Sequence, residues 1–221
     1  LTLLELRSPR DIDVADRLYL GGAFLLASLE NTSISLGQEL HMTHDSGRFS
    51  RVAGLAHAED ARRPDSAKHL LERGYLALHE GKTFHQYDDR WAEPPSYLVA
   101  ISALADRPPV LDRARFFRLT FRDIARSTDE RTGIFCLCPP GAVFGNTAPV
   151  ERTPRTRSNR AALSLLALAN SFTPDWAIRI AAGVHVNFFV LNRVPVPPDL
   201  AKIALFLSHS ALRLTCNHAG Y

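Results

Sequence analysis

The sequence predicts an α+β fold in which mixed, twisted β-sheets are flanked by helices. Three observations support this fold class. The middle of the chain alternates apolar and polar residues with the period of a strand, and the last third repeats apolar residues with the period of a helix. Turns rich in proline and glycine separate these segments. A length of 221 residues suits one large domain or two small ones.

The first half of the chain begins with a predicted helix and continues with less regular structure. Apolar residues over 11–30 form one broad face, and Gly21-Gly22 is expected to interrupt the helix. Residues 31–66 are polar and predict loops with at most one short strand. The pattern over 75–87 predicts two short strands joined at a hairpin tip, Glu80-Gly81-Lys82. The following residues, up to 112, are rich in turns.

The middle of the chain has the strongest strand signal. Residues 116–124 alternate, with Phe117, Leu119 and Phe121 on one predicted face and Arg118, Thr120 and Arg122 on the other. A second buried strand is predicted over 133–137, and Pro139-Pro140-Gly141 would end it. Residues 146–158 are expected to form a loop.

The last third carries helix start and stop signals. Asn159 is expected to cap a helix over 160–170, and Thr173-Pro174 begins another helix that Gly183 would end. A strand is predicted over 184–191, and residues 194–198 must be extended because of their prolines. Asp199 is expected to cap a final helix that runs towards Thr215.

Arginine dominates the basic residues, since lysine occurs only at three positions (Lys68, Lys82 and Lys202) among the 26 lysines and arginines. The planar guanidinium group makes bidentate hydrogen bonds with phosphate and guanine. The net charge is +3, yet residues 107–160 contain eleven arginines against five acidic residues. Such a basic segment is typical of a nucleic-acid interface, and the alternative is a solvated surface whose arginines pair with neighbouring acids.

Several features bear on the cellular compartment of the protein and on its cofactors. No apolar run approaches the roughly 20 residues that span a bilayer, and the first residues lack the pattern of a secretory signal. Three cysteines, Cys136, Cys138 and Cys216, are a sparse and odd set that indicates the reducing cytoplasm. Because the chain begins with leucine, we expect it to be a piece of a longer protein. The motifs of nucleotide-binding and phosphate-binding loops are missing, so no cofactor is expected to bind this chain.

Two patterns suggest metal chemistry. Pro64-Asp65 followed by Glu80-Gly81-Lys82 fits a nuclease superfamily in which two carboxylates hold Mg²⁺ and a lysine positions the attacking water. His41 and His44 beside Asp45 lack a defined further ligand, so we interpret them as surface residues. Cys136 and Cys138 share one face of a predicted strand and are expected to be core thiols. No metal site is therefore predicted, and the nuclease stays an alternative.

The order of short motifs resembles a known protein family. These motifs are LHEGKTFHQYDDR at 78–90, RLTFRDIA at 118–125 with TDERT at 128–132, LANSF at 168–172 with DW at 175–176, and HVNFF at 185–189 with VPVP at 194–197. His41-Met42-Thr43 with Asp45-Ser46 fits an upstream block. Over residues 39–200 the chain thus resembles the C-terminal target-recognition part of bacterial adenine-specific DNA methyltransferases, including those fused to a restriction endonuclease and those of phage defence.

The resemblance implies a non-catalytic module that recognises double-stranded DNA. Such a module reads base edges in the major groove while the target adenine is flipped out by a separate catalytic domain. It implies the fold of a DNA-methylase specificity domain at residues 39–198, with a helical connector at 1–38 and a C-terminal helix at 199–221. S-adenosylmethionine would bind the upstream catalytic domain, the second expected partner besides DNA.

The candidate DNA contacts combine this resemblance with the chemistry of the side chains. Arginines would hold phosphates or read guanine, and a glutamine can bond bidentately to adenine. The candidates are Lys82, His85, Gln86, Arg118, Arg122, Arg126, Arg131, Arg152, Arg155 and Arg157. Two alternatives stay open. Arg122, Asp123 and Arg131 would equally form an internal ion-pair network, and the final helix would suit a protein-interaction module of a phage-defence complex.

Overall fold

The computed structural model describes residues 6–20, 23–52, 66–92, 94–197 and 199–221, and within them the α+β class is confirmed. The helices are α1 (Pro9–Tyr19), α2 (Leu25–Asn31), α3 (Ser66–Glu72), α4 (Pro108–Arg113), α5 (Asn159–Ala169), α6 (Phe172–Ala181), α7 (Phe188–Leu191) and α8 (Leu200–Thr215). The strands are β1 (Ala23–Phe24), β2 (Leu36–Gly37), β3 (Phe49–Arg51), β4 (Tyr75–His79), β5 (Tyr97–Ala100), β6 (Arg118–Phe121), β7 (Phe135–Cys138), β8 (Ala142–Phe144), β9 (Val150–Glu151) and β10 (Pro195–Val196). Short 3₁₀ helices lie at Ser46–Arg48 and Ile101–Leu104.

The strands of the described residues form two four-stranded sheets and one two-stranded ribbon. The first sheet has the order β2-β9-β6-β7 and is antiparallel throughout. The second has the order β3-β5-β4-β8, in which β4 and β8 run parallel. The ribbon joins β1 to β10. Residues 23–37 therefore contribute strands that pair with the segment predicted as the recognition domain.

Strand β6 is buried on both faces because the first sheet lies between a helical layer and the second sheet. Its Leu119 and Phe121 pack in the core that contains α5 and α6. Arg118 on the other face lies over the Phe144 ring of β8, with the guanidinium carbon 4.8 Å from the ring centre. The alternation predicted for this strand is confirmed, but its polar face meets protein instead of solvent.

The cysteine-bearing strand confirms the prediction of core thiols. Cys136 and Cys138 on β7 are fully buried, and their sulfur atoms lie 4.0 Å apart. Burial and the neighbouring Cys138 thiol raise the pKa of Cys136 well above its usual value. Strand β7 ends at Cys138. In the turn before β8, Gly141 has a φ of +95° that favours glycine, and its missing side chain admits the carbonyl oxygen of Ala67.

Two predicted strand regions are wrong. Residues 80–92 form a loop and not the second arm of a hairpin, because Thr83 and Phe84 are buried in the interior and β4 pairs with β5 and β8. The turn-rich stretch after the loop contains β5 and α4. Residues 184–191 form a single bridge at His185 and then α7, since the Asn187 side chain accepts the Val190 amide hydrogen (3.0 Å) and starts a helix.

The helices of the last third are confirmed with shifted starts. Helix α5 is capped by Ser158, one residue earlier than expected, and α6 begins at Phe172. Helix α8 follows Asp199, but the predicted cap is wrong, because the Asp199 side chain makes no capping hydrogen bond and its carboxylate bonds the Lys202 ammonium (2.9 Å) instead. None of the described helices has the length and apolar character needed to cross a membrane.

His79 makes the stability of the fold depend on pH. Burial lowers its pKa from 6.5 to about 4, with Arg118 acting in the same direction and Asp89 opposing. The His79 imidazole of the unfolded chain therefore binds a proton below pH 6.5, whereas that of the folded chain binds it only below about pH 4. We expect the free energy of unfolding to fall by about 2–3 kcal/mol between pH 7.5 and 4.5 from this residue. Urea unfolding at both pH values should show a smaller loss in His79→Gln, and an equal loss would contradict the assignment.

Candidate nucleic-acid interface

Segments far apart in the sequence meet where β6 ends. The Arg122 guanidinium donates hydrogen bonds to the backbone carbonyls of Gly81 and Phe84, which fixes the first part of loop 80–92. The Gly81 amide donates to the Thr147 hydroxyl (3.1 Å). A side chain at position 81 would collide with the Thr147 carbonyl oxygen, so glycine is required for this approach. Burial lowers the pKa of the Arg122 guanidinium, although arginine stays protonated in proteins.

The segment at 184–186 joins the same surface. Ile124 and His185 form a bridge, and the Val186 amide donates to the Asp123 carbonyl (2.6 Å). The Nδ1 atom of His185 lies 3.1 Å from an Asp123 carboxylate oxygen. Ile124, Val184 and His185 remain largely exposed. Three of the motif blocks that carry the family resemblance are thus brought together on one surface.

A shallow cleft of about 280 Å³ lies at this junction and is lined by Glu80, Gly81, Lys82, Arg122, Ile124 and Thr147. Lys82 projects into solvent with 61% of its side chain exposed, and its ammonium lies 3.4 Å from the Glu80 carboxylate. Asp65, the first carboxylate of the nuclease alternative, lies outside the described residues. Among the residues that are described, no group of three acidic, histidine or cysteine side chains is arranged to hold a metal ion.

Gln86 and Arg131 are engaged within the protein. The Gln86 amide donates to the Gly133 carbonyl (2.8 Å) and accepts from Arg131 Nε (3.1 Å). Arg131 also donates to the Asn170 carbonyl (3.2 Å) and lies 3.4 Å from the Asp175 carboxylate. Asp175 in turn accepts two backbone amide hydrogens, from Thr132 (2.8 Å) and Gly133. Their hydrogen-bonding groups are therefore used to hold loop 80–92 against α6.

Two other predicted contacts remain at the surface of this region. His85 is half-buried and its ring packs against that of Trp91 at a tilt of 33°, with ring centres 4.5 Å apart. Burial, and next the Arg122 charge, lower the pKa of His85. The Arg126 side chain is exposed, and its backbone amide donates to the Asp129 carboxylate (2.8 Å).

Arg118 and Arg157 are interior residues and not available to DNA in this fold. Arg118 is 1% exposed and donates to the buried Glu39 carboxylate (2.8 Å). The Arg157 side chain is 2% exposed and donates through Nε and one Nη to the Glu151 carboxylate (2.8 and 3.0 Å). Arg157 also donates to the Phe117 carbonyl (2.6 Å). We therefore assign both arginines to the interior.

Four further arginines of the basic segment form an exposed surface at the other end of β6, which we name the arginine face. It comprises Arg115, Arg152, Arg155 and Arg160, all exposed. Arg155 joins segments 112–116 and 152–160, because its guanidinium bonds Asp112 (2.8 Å) and lies over the Phe116 ring. Asp112 is the one acidic residue within these two segments.

The environment of Arg152 indicates a positive potential on the arginine face. Its guanidinium donates to the Gln38 carbonyl (2.6 Å) and packs on Gly37. Its pKa is lowered, first by partial burial and next by the neighbouring Arg113 charge, while Glu39 acts against both. Arg113 itself pairs with the Glu39 carboxylate (3.4 Å).

Sequence reasoning missed the acids that neutralise the interior arginines, Glu39 and Glu151, and several exposed residues. The sequence does not indicate that Trp91 and Phe172 are exposed, because isolated aromatic residues ordinarily lie in the core. Asp45 is held by Arg107 (2.6 Å) and accepts the His41 amide hydrogen (2.8 Å), so the histidine cluster is a structured turn.

The sequence matches no known protein-family model, and a search of curated proteins finds no significant match either.

Proposed function

We propose that this chain is a non-catalytic double-stranded DNA recognition module of a cytoplasmic adenine-specific DNA methyltransferase. The observation that carries the proposal is the arginine face, whose four exposed arginines share segments 112–116 and 152–160 with a single acidic residue, Asp112, which pairs with Arg155. Exposed guanidinium groups that outnumber the nearby acids attract the phosphate backbone and release its counterions. The S-adenosylmethionine and the methyl transfer would belong to an upstream catalytic domain of the parent protein.

The second surface, loop 80–92 with Ile124, Arg126 and His185, is proposed to contact the bases. Phosphate contacts fix the register of a protein on DNA, whereas contacts in the grooves specify the sequence. The loop is held by Arg122 and Arg131 from within, so its exposed Lys82 is presented on a rigid support. The two surfaces lie at opposite ends of β6, and this arrangement supports a division of labour between position and specificity.

The salt dependence of DNA binding tests the proposal. We expect the protein to bind a fluorescent duplex at low salt, with affinity falling roughly 100-fold between 50 and 200 mM salt if each exposed arginine of the face neutralises about one phosphate. Fluorescence anisotropy at several salt concentrations measures this. The same mixture with Mg²⁺ should leave the duplex intact. Cutting that disappears in Glu80→Ala would support the nuclease alternative instead.

A protein-interaction module is favoured by one specific observation, the outer surface of α8. The helix packs on α5 through small residues, with Ser208 and Ala211 buried. Five of its large apolar residues are nevertheless exposed, namely Ile203, Leu205, Phe206, Leu212 and Leu214. Exposed apolar surface of this kind marks contacts with other proteins. Failure to detect duplex binding at low salt would favour this function over DNA recognition.

A further inference from the structure

Two large aromatic side chains are exposed at the edge of loop 80–92. Phe172 is 81% exposed and Trp91 is 46% exposed. Each ring has a polar, planar group as a neighbour. The Arg131 guanidinium carbon lies 4.3 Å from the Phe172 ring centre, and the His85 ring lies 4.5 Å from that of Trp91. Both aromatic rings therefore present surface to solvent while a planar partner fixes their orientation.

These side chains belong to one continuous strip. His85 and Gln86 are neighbours in the chain, and Gln86 accepts a hydrogen bond from Arg131 (3.1 Å). The strip thus runs from Trp91 through His85 and Gln86 to Arg131 and Phe172, and we name it the stacking strip. Because Arg131 is held at Gln86, Asn170 and Asp175, the support of Phe172 is preorganised.

The charges around the strip are mixed. Arg90 and Arg126 are exposed on the same loops and carry positive charge. Asp88 and Glu130 lie near His85 and act against them. Because the strip has no strong net charge, a phosphate group alone would contribute little binding affinity. The ligand must therefore be recognised through flat apolar faces of its own.

We propose that the stacking strip binds unpaired DNA bases, an inference that rests on the proposed function and names a substrate feature for it. Proteins hold unstacked bases by stacking them on aromatic side chains, with arginine contributing from the side. In an intact duplex the faces of the bases are covered by their neighbours. A base becomes a ligand for Trp91 or Phe172 when a mismatch, a bubble or a single strand exposes it.

Binding of matched DNA probes tests the strip. The probes are a labelled duplex of about 20 base pairs and the same duplex with a central bubble of about three mismatched pairs. We expect the wild-type chain to bind the bubble about tenfold more tightly, because stacking on one aromatic ring contributes about that factor. Phe172→Leu and Trp91→Leu should each reduce the preference. Phe172→Tyr, which keeps the ring, should retain it.

Phe206→Leu is the matched control, since Phe206 is 72% exposed on α8 and lies outside the strip. It should leave the bubble preference unchanged. Stacking should also quench the emission of Trp91, and the quenching should be absent in Trp91→Leu. Equal affinity for bubble and duplex, or a preference that survives Phe172→Leu, would overturn the strip while leaving the proposed function intact. Failure to bind either probe would overturn both.

Discussion

Replacement of Arg157 by alanine is expected to lower the free energy of unfolding by about 3–5 kcal/mol. The Glu151 carboxylate is fully buried and accepts two hydrogen bonds from Arg157 and one from the Leu119 amide (3.1 Å). Without the guanidinium, a buried negative charge would keep a single backbone donor. Removing one partner of a buried ion pair lowers the free energy of unfolding far more than removing one partner of an exposed ion pair.

Urea unfolding of Arg157→Ala and Arg155→Ala measures the difference. Arg155 is the matched control, because it lies two residues away, pairs with Asp112, and has 68% of its side chain exposed. Exposed ion pairs contribute about 0–1 kcal/mol, so Arg155→Ala should be close to the wild type. A stable Arg157→Ala variant with weakened DNA binding would show instead that Arg157 is a contact residue.

Charge reversal on the arginine face should have the largest effect on DNA binding. The double variant Arg152→Glu/Arg155→Glu is expected to lose at least about 100-fold in duplex affinity at low salt, since two phosphate contacts become two repulsions. Fluorescence anisotropy with one fixed duplex measures the loss. Thermal unfolding of the variant shows that the fold is retained.

The control for this variant carries the same change in net charge elsewhere. Lys202→Glu/Arg213→Glu places two acids on α8, where both original side chains are exposed. Its affinity should stay within a few-fold of the wild type, because neither side chain belongs to the arginine face. An equal loss in both double variants would mean that overall charge, and not the arginine face, drives binding.

Local periodicity predicts the elements in which buried apolar residues recur at the spacing of a strand or a helix. In strand β6 the apolar residues alternate with polar ones, and in helix α5 they recur at helical spacing. The sequence alone therefore places both elements correctly. The predicted hairpin at loop 80–92 is wrong because the residues that hold the loop are distant in the sequence. Arg122 lies 41 residues from Gly81, and no local pattern reveals that hydrogen bond.

The candidate site shows the same limit for charge. The sequence shows the excess of arginine, yet it does not divide these residues between interior and surface. Arg118 pairs with Glu39 over a separation of 79 residues. Arg157 pairs with Glu151 because the turn that follows β9 brings the Arg157 side chain back to the buried Glu151 carboxylate. The arginine face is visible only after such interior pairs have been identified.

The dependence of duplex affinity on salt, compared between the wild type and Arg152→Glu/Arg155→Glu, tests the central claim most directly. The logarithm of the binding constant falls linearly with the logarithm of salt concentration, with a slope of about 0.9 per phosphate contacted. We predict that the variant's slope is smaller in magnitude by about two, one for each lost contact. Equal slopes in the two proteins would contradict the assignment of these arginines to the phosphate backbone of DNA.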